Sequence, residues 1–319
     1  MAIPEVADAL QALSISDPEP EYLLFGPTGE RAWLQERHLR WQEGDEDNLV
    51  SWTSSLLFAL VYVFHLHANY RDTSAFDDIN LCIIDTDKFP KAVFLRDMDL
   101  IQVYSAFDAD LKNFKGLRSR RDWYFGEYLS QGALKMENKC RIVSAQAMID
   151  MGLYDLRHEF KTFSRWEISW TPPWAKPVIE FRKLVYQIEG SGNSDDRIWI
   201  AIAIARLFGL CWVLPMAANL GALLPPSEDN TAIIQAFRIT FFTGWLALPR
   251  SKFKLIYLDD DRDNCSPLKT KVIAYGLPEV EQFGKIMRSV YKDFCVKKLR
   301  SKLLVANFSL PERPPKNKY

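Results

Sequence analysis

The chain contains 319 residues, of which 48% are hydrophobic and 25% are charged, a composition typical of a folded globular protein and not of a disordered one. This length suits one large domain or two ordinary ones, and we expect two. The formal net charge of -1 creates no overall field that would attract nucleic acid or an acidic membrane, so either partner would need a local patch. We therefore expect neither as a partner.

The apolar segments do not resemble a secretory signal or a membrane span. Residues 1–20 form an acidic, proline-containing lead without a basic start or a long apolar core, which argues against a signal peptide. The longest apolar stretches are Leu56–Leu66 and Ile198–Leu224, and Arg206 and Pro215 interrupt the second, which favours buried helices. We expect a cytoplasmic protein.

The cysteines and histidines show no metal-binding pattern. Five cysteines are scattered at long intervals without a CxxC pair, and we interpret them as reduced thiols. His65 and His67 are two residues apart on a predicted helix and therefore point in different directions, while His38 and His158 are isolated. The sequence predicts no metal site.

Apolar and β-branched runs predict three strands in the first third of the chain. These are Tyr22–Phe25, Leu49–Thr53 and Ile79–Asp85. A helix at Leu56–His67 follows the second strand. Ser54 or Ser55 can cap this helix, because a side-chain oxygen there accepts a free backbone N–H of the first turn.

Residues 94–156 combine helical spacing with further strands. The patterns predict a helix at Phe94–Phe107, an exposed basic loop at Lys112–Arg121, paired strands at Tyr124–Leu129 and Lys139–Ser144, and a helix at Ala145–Leu156. Clustered guanidinium groups in the basic loop could bind phosphates, but a solvated loop is the favoured interpretation.

Residues 166–177 contain three tryptophans and three prolines. Because proline excludes a regular helix or central strand, we place the domain junction there. The helical patterns beyond it are Val178–Ile188, Asp196–Phe208, Val213–Leu224, Thr231–Trp245 and Glu279–Leu304. The predicted organisation is a flexible lead (1–20), a mixed domain (21–165), a Trp/Pro linker (166–177), a helical domain (178–310) and a disordered tail (311–319).

Two short motifs are similar to those of a known family. The first is LVSWTSS at residues 49–55, which leads into an apolar helix, and the second is FGEYLSQG at residues 125–132, which follows the predicted strand at 79–85. In this order they resemble fungal ADP-ribosyltransferase-like domains over about residues 20–160. The resemblance implies an α+β fold with a split β-sheet, followed in this chain by a mainly α-helical domain.

The resemblance also implies a reaction, the transfer of ADP-ribose from NAD to an unidentified acceptor. Ser51, Thr53 and Ser54 match the family's strand on the floor of the nicotinamide pocket, and Glu127 matches its catalytic glutamate. Departure of nicotinamide leaves positive charge on the ribose, and a nearby carboxylate can stabilise that charge and orient a ribose hydroxyl. The expected cofactor is therefore NAD, and the expected partner is a nucleotide or small molecule.

One position departs from the family's pattern. Phe25 stands where the first strand of the family carries an arginine or histidine that holds NAD. The residues that could replace it are Arg31, Arg37, His38 and Arg40. His38 and Arg40 are favoured, because they come shortly before the strand that carries Ser51.

The motif around the glutamate suggests further roles. Tyr128 or Tyr124 could stack on the nicotinamide. Phe125, two residues before Glu127, replaces the acidic or amide residue of arginine-modifying members. We therefore do not expect an arginine side chain as the acceptor.

Other interpretations of the same residues stay open at this point. The fold could be catalytically degenerate and serve as a binding or regulatory module, as Phe25 suggests, or it could carry out a different transfer in a fungal biosynthetic pathway. In structural terms, residues 51–54 could be a strand end and a helix cap, and Glu127 an exposed strand residue.

Overall fold

The computed structural model describes residues 38–39, 48–68, 74–163, 175–187, 194–225, 230–242 and 275–308. It is a mixed α+β structure with small antiparallel sheets in the N-terminal half, followed by a mainly helical region. The predicted strand at 22–25, with Phe25, lies outside the described residues, as do Arg31, Arg37, Arg40 and the predicted disordered tail.

Two antiparallel sheets organise the N-terminal half. The strands are β1 (Leu49–Thr53), β2 (Asn80–Ile84), β3 (Leu95–Arg96), β4 (Glu127–Gln131) and β5 (Cys140–Ser144). One sheet has the order β1-β4-β3, and the other pairs β2 with β5. The predicted strands at 49–53 and 79–85 are confirmed, the second within one residue at each end.

Helix α1 (Leu56–Ala68) follows β1 after two residues, as predicted. Of the two candidate caps, Ser55 is the one that accepts the backbone N–H of Phe58, at 3.1 Å. The helix is apolar on most sides and is buried in the largest hydrophobic cluster among the described residues. This burial fixes the end of β1, where the Ser51–Ser54 motif lies.

The predicted pairing of the strands near 124–129 and 139–144 is wrong. Both segments contain strands, but β4 pairs with β1 and β3, whereas β5 pairs with β2. The helix predicted at Phe94–Phe107 is only partly correct, because its first residues form β3 and the helix α2 covers Asp97–Tyr104. Pairing of Leu95 with Leu129 replaces the first helical turn.

The predicted exposed basic loop at Lys112–Arg121 is wrong for residues 112–118. It contains helix α3 (Ala109–Arg118), which begins after Asp108, whose carboxylate accepts the backbone N–H of Leu111 at 2.8 Å. Leu111 and Arg118 are buried on one face of this helix. Within the helix Lys112 is exposed and Lys115 is half-buried, and these cations obscured the amphipathic pattern. Arg120 and Arg121 follow the helix and are exposed.

The helix predicted at Ala145–Leu156 consists of two shorter helices, α4 (Ala145–Asp150) and α5 (Leu153–Leu156). Gly152 separates them with a φ of 99°, a conformation that L side chains rarely adopt. The remaining helices are α6 (Glu159–Phe163), α7 (Ala175–Gln187), α8 (Ser194–Arg206), α9 (Leu210–Gly221), α10 (Thr231–Phe237) and α11 (Pro278–Phe308). A π-helical segment, Arg238–Phe242, continues α10. The prediction of a mainly helical second half is confirmed.

The largest hydrophobic cluster takes buried side chains from both halves of the chain, from Leu56 in α1 to Val290 in α11. A smaller cluster fills the space between the three-stranded sheet and helices α2 and α3, and contains Leu39 and Leu129. The division into two domains at residues 166–177 stays a prediction. Nonetheless, apolar packing connects the two sides of that junction.

Two further sequence predictions concern membranes and cysteines. No helix in the described ranges has both the length and the apolar character needed to cross a bilayer. Cys82 and Cys140 are free, and burial, followed by the charge of Cys140, raises the pKa of Cys82 to about 11. Cys211 forms a disulfide, so the prediction of reduced thiols is wrong for that residue.

Candidate functional site

A chain of hydrogen bonds links three residues that the sequence singled out. Ser51 Oγ donates to Glu127 Oε1 at 2.8 Å, and His38 Nε2 lies 3.0 Å from the same Oγ. Because the single hydroxyl proton of Ser51 goes to Glu127, Nε2 of His38 must be the donor to Ser51. His38, Ser51 and Glu127 therefore form one continuous polar cluster.

The strand register explains why Ser51 and Glu127 meet. Ser51 is paired with Leu129, and Thr53 is paired with Glu127, so all four side chains lie on one face of the β1–β4 pair. This is the face that packs against helices α2 and α3 through Leu129. Glu127 therefore points towards a packed interior.

Arg118, at the end of α3, completes the surroundings of Glu127. Its Nη2 donates to Glu127 Oε2 at 2.7 Å, and the two side chains are only 3% and 1% exposed. Both carboxylate oxygens of Glu127 are therefore engaged, one by Ser51 and the other by Arg118. Removing one partner of such a buried pair typically costs about 3–5 kcal/mol, because it leaves an uncompensated charge.

A second carboxyl group, that of Asp97, lies beside this pair. Asp97 is fully buried at the start of α2, and its Oδ1 accepts the backbone N–H of Met98 at 2.7 Å. Burial raises the pKa of Asp97 to about 7; the positive charge of Arg118 opposes this rise and the negative charge of Glu127 adds to it. One guanidinium thus serves two carboxyl groups, and one of these holds a proton up to near neutral pH.

Polar atoms around Asp97 lack hydrogen-bond partners within the described part of the chain. These are Oδ2 of Asp97, Nη1 of Arg118 and the hydroxyl of Tyr124. Buried polar groups in proteins are nearly always paired, either with protein or with water. The surroundings of Asp97 can therefore provide both donors and an acceptor to a small polar molecule.

Thr53 and Ser54 use their hydroxyl groups on the backbone before Glu127. Thr53 Oγ1 donates to the carbonyl of Phe125 at 2.8 Å, and the hydroxyl and amide of Ser54 donate to the carbonyl of Gly126 at 3.3 and 2.9 Å. These bonds hold the turn from which β4 starts. Neither hydroxyl is directed to the carboxylate of Glu127.

Comparisons of the chain with protein-family models, with curated protein sequences and with solved structures returned no match. Among the residues that the structure describes, no group of three or more His, Cys, Asp or Glu side chains could hold a metal ion. The described side chains of the site supply an imidazole, a hydroxyl, a guanidinium and two carboxyls.

The two tyrosines considered for nicotinamide stacking occupy different surroundings. Tyr128 is paired with Trp52 on β1 and with Arg96 on β3, so its side chain is on the opposite face of the sheet from Glu127. Burial raises the pKa of Tyr128 to about 12. Tyr124 is buried beside the start of α11, in a small cluster with Leu277 and Val280.

The sequence interpretation missed Arg118 and Asp97. A signal for Arg118 was present, because Leu111, Phe114 and Arg118 follow at helical spacing and place the arginine on the apolar face of α3. Asp97 gave no such signal, since an acidic residue at the start of a helix is ordinarily explained by the helix dipole.

Proposed function

We propose that residues 21–165 form an ADP-ribosyltransferase-like domain that serves as a binding or regulatory module. In this proposal Glu127 is an ion-pair partner and not a catalytic residue. The observation that carries the proposal is the engagement of both Glu127 oxygens in a side chain that is only 1% exposed. The two small antiparallel sheets and the contact between Ser51 and Glu127 support the split-sheet fold of the family.

Catalysis by Glu127 would require a ribose hydroxyl to reach its carboxylate, which is only 1% exposed and already accepts a hydrogen bond on each oxygen. A ribose hydroxyl would have to enter this buried site and displace either Ser51 or Arg118 from Glu127; displacement of Arg118 would cost about 3–5 kcal/mol, which corresponds to a factor of about 100 or more. Arg118 is also poorly placed to replace the missing pyrophosphate anchor, because its side chain is only 3% exposed and its Nη2 is paired with Glu127. The module is therefore expected to bind a nucleotide or small molecule other than NAD.

Calorimetric titration of the purified chain with NAD tests this proposal. We expect no saturable heat of binding, for the wild type or for Ser51→Ala. Saturable binding that Ser51→Ala weakens would contradict the proposal, because Ser51 would then contribute to an NAD site. Asn48, at the other end of β1, offers a matched control through Asn48→Ala.

A second candidate is transfer of ADP-ribose from NAD, and the hydrogen bond from Ser51 to Glu127 favours it. In that reaction Ser51 would orient Glu127, Glu127 would stabilise the developing ribose cation, and His38 would support Ser51. Incubation with labelled NAD distinguishes the two candidates. Label transfer by the wild type that is lost in Glu127→Gln but kept in Glu137→Gln, an exposed control, would favour the enzyme.

A further inference from the structure

A second buried ion pair lies close to the Glu127 site and belongs to the helical half. Arg182 on α7 donates through Nε to Glu279 Oε2 at 3.0 Å and through Nη2 to Glu279 Oε1 at 2.6 Å. Their side chains are 8% and 1% exposed. This fork geometry is the strong bidentate form of an arginine–carboxylate pair.

The pair also contacts the N-terminal half at two points. Arg182 Nη1 donates to the backbone carbonyl of Tyr124 at 2.8 Å, and Ser55 Oγ donates to Glu279 Oε1 at 2.6 Å. Tyr124 immediately precedes the turn that leads to Glu127, and Ser55 follows the residue that is hydrogen-bonded to that turn. The two contacts therefore hold the turn from both sides.

The turn itself has little room to move. Gly126 has a φ of 69°, and a Cβ at this position would meet Ser54 Oγ and lie 2.6 Å from Leu277 Cδ1. Leu277 precedes α11, the helix that carries Glu279. The ring of Phe125 lies 5.3 Å from the guanidinium carbon of Arg118 and 5.7 Å from that of Arg182, so both buried arginines contact one ring.

We propose that Arg182 and Glu279 are positioning residues for the Glu127 site. They fix the backbone at residues 124–126 and thereby keep Glu127 within reach of Ser51 and Arg118. The helical half is then the part of the chain that sets the geometry of the site. This inference rests on the proposed function only in treating the Glu127 cluster as the site; its test needs no ligand.

Amide hydrogen exchange offers a local measure of this positioning. The amide of Ser54 donates to the carbonyl of Gly126 at 2.9 Å, next to the turn, and the amide of Gly132 donates to the carbonyl of Asn48 at 2.8 Å. These bonds lie at opposite ends of the same β1–β4 pair. Gly132 is therefore an internal control for general loosening of the sheet.

The decisive variant replaces both charges by apolar groups, Arg182→Met with Glu279→Leu. Replacement of a whole buried ion pair by apolar residues is often neutral for stability, whereas removal of one partner is not. The double variant still removes the bonds to Tyr124 and Ser55. We expect the exchange rate of the Ser54 amide to rise about tenfold or more relative to that of Gly132 in the folded variant.

A conservative variant, Arg182→Lys, guards against failure of the double variant to fold. Lysine keeps the charge beside Glu279 but lacks the planar fork that reaches Glu279 and Tyr124 together. We again expect the exchange rate of the Ser54 amide to rise relative to that of Gly132. A ratio of the Ser54 and Gly132 exchange rates that stays at its wild-type value in a folded variant would overturn the proposal, because the pair would then be only structural.

The ion pair between Arg238 and Asp293 is a matched control. It is also bidentate, at 2.8 and 2.5 Å, and joins two elements of the helical half. Arg238→Met with Asp293→Leu should leave the ratio of the Ser54 and Gly132 exchange rates at its wild-type value. NAD titration is a separate readout, so NAD binding with selective exchange at Ser54 would overturn the proposed function and leave this inference intact.

Discussion

Burial of Asp97 links the stability of the chain to pH. Its pKa is raised from the ordinary value of 3.8 to about 7, so the folded protein keeps a proton that the unfolded chain has already lost. The contribution of this residue to the free energy of unfolding is therefore full below about pH 4 and is lost as the pH rises to about 7. Each pKa unit corresponds to about 1.4 kcal/mol, which gives a total of about 4 kcal/mol.

The variant Asp97→Asn tests this effect, because asparagine keeps the shape and has no proton to lose. The free energy of unfolding of Asp97→Asn, relative to the wild type, should rise by up to about 4 kcal/mol between pH 4 and pH 7. Denaturant unfolding at a series of pH values measures this difference. A difference that stays constant over that range would contradict the assigned burial of Asp97.

Gly126 is a second residue whose substitution should change the free energy of unfolding. Alanine at a positive φ costs about 1–2 kcal/mol, and the Cβ would also collide with Ser54 and Leu277. Gly126→Ala should therefore lower the free energy of unfolding by about 2 kcal/mol or more. Gly116→Ala is the matched control, since Gly116 lies in α3 with open space around it, and it should stabilise the protein by about 0.5–1 kcal/mol.

At the scale of elements, the helix cap of α1 serves two functions at once. Ser55 Oγ accepts the amide of Phe58 and donates to Glu279. Loss of a cap costs about 1 kcal/mol, and a buried carboxylate that loses a donor adds about 1–3 kcal/mol. Ser55→Ala should thus cost more than Ser144→Ala, which removes only a cap, that of α4; equal losses in thermal or denaturant unfolding would contradict the link to Glu279.

Local patterns predicted some elements well and their pairing poorly. Leu49–Thr53 and the helix after it could be predicted, because β-branched spacing, an apolar run and a serine cap all agree. The partners of β4 and β5 could not be predicted, since strand pairing depends on long-range contacts that adjacent sequence does not encode. Helix α3 was hidden because its buried Arg118 resembled one more exposed cation.

The candidate site shows the same division. The motif resemblance placed Ser51 and Glu127 in one expected pocket, and they are hydrogen-bonded in the structure. The charged neighbours of Glu127 could not be predicted. Arg118 comes from a helix that was not predicted, and Asp97 stands at the start of a helix, where an acidic residue is ordinarily explained by the helix dipole. Tyr128 was ambiguous because a strand alone does not reveal which face is the site.

At the scale of the whole molecule, one core joins the two halves. The largest hydrophobic cluster spans α1 to α11, and the Arg182–Glu279 pair contacts both sides. We therefore expect the described parts to unfold in one cooperative transition. Differential scanning calorimetry with a matched spectroscopic melt measures this, and two separated transitions would show that the halves are independent domains.

The central claim is that Glu127 is held by Arg118 and Ser51 and does not catalyse cleavage of NAD. Release of nicotinamide from NAD by the purified full chain, measured for the wild type beside Glu127→Gln, tests it most directly. We predict no release by the wild type above the level of Glu127→Gln. Release that is present in the wild type and abolished in Glu127→Gln would contradict the claim and identify Glu127 as a catalytic residue.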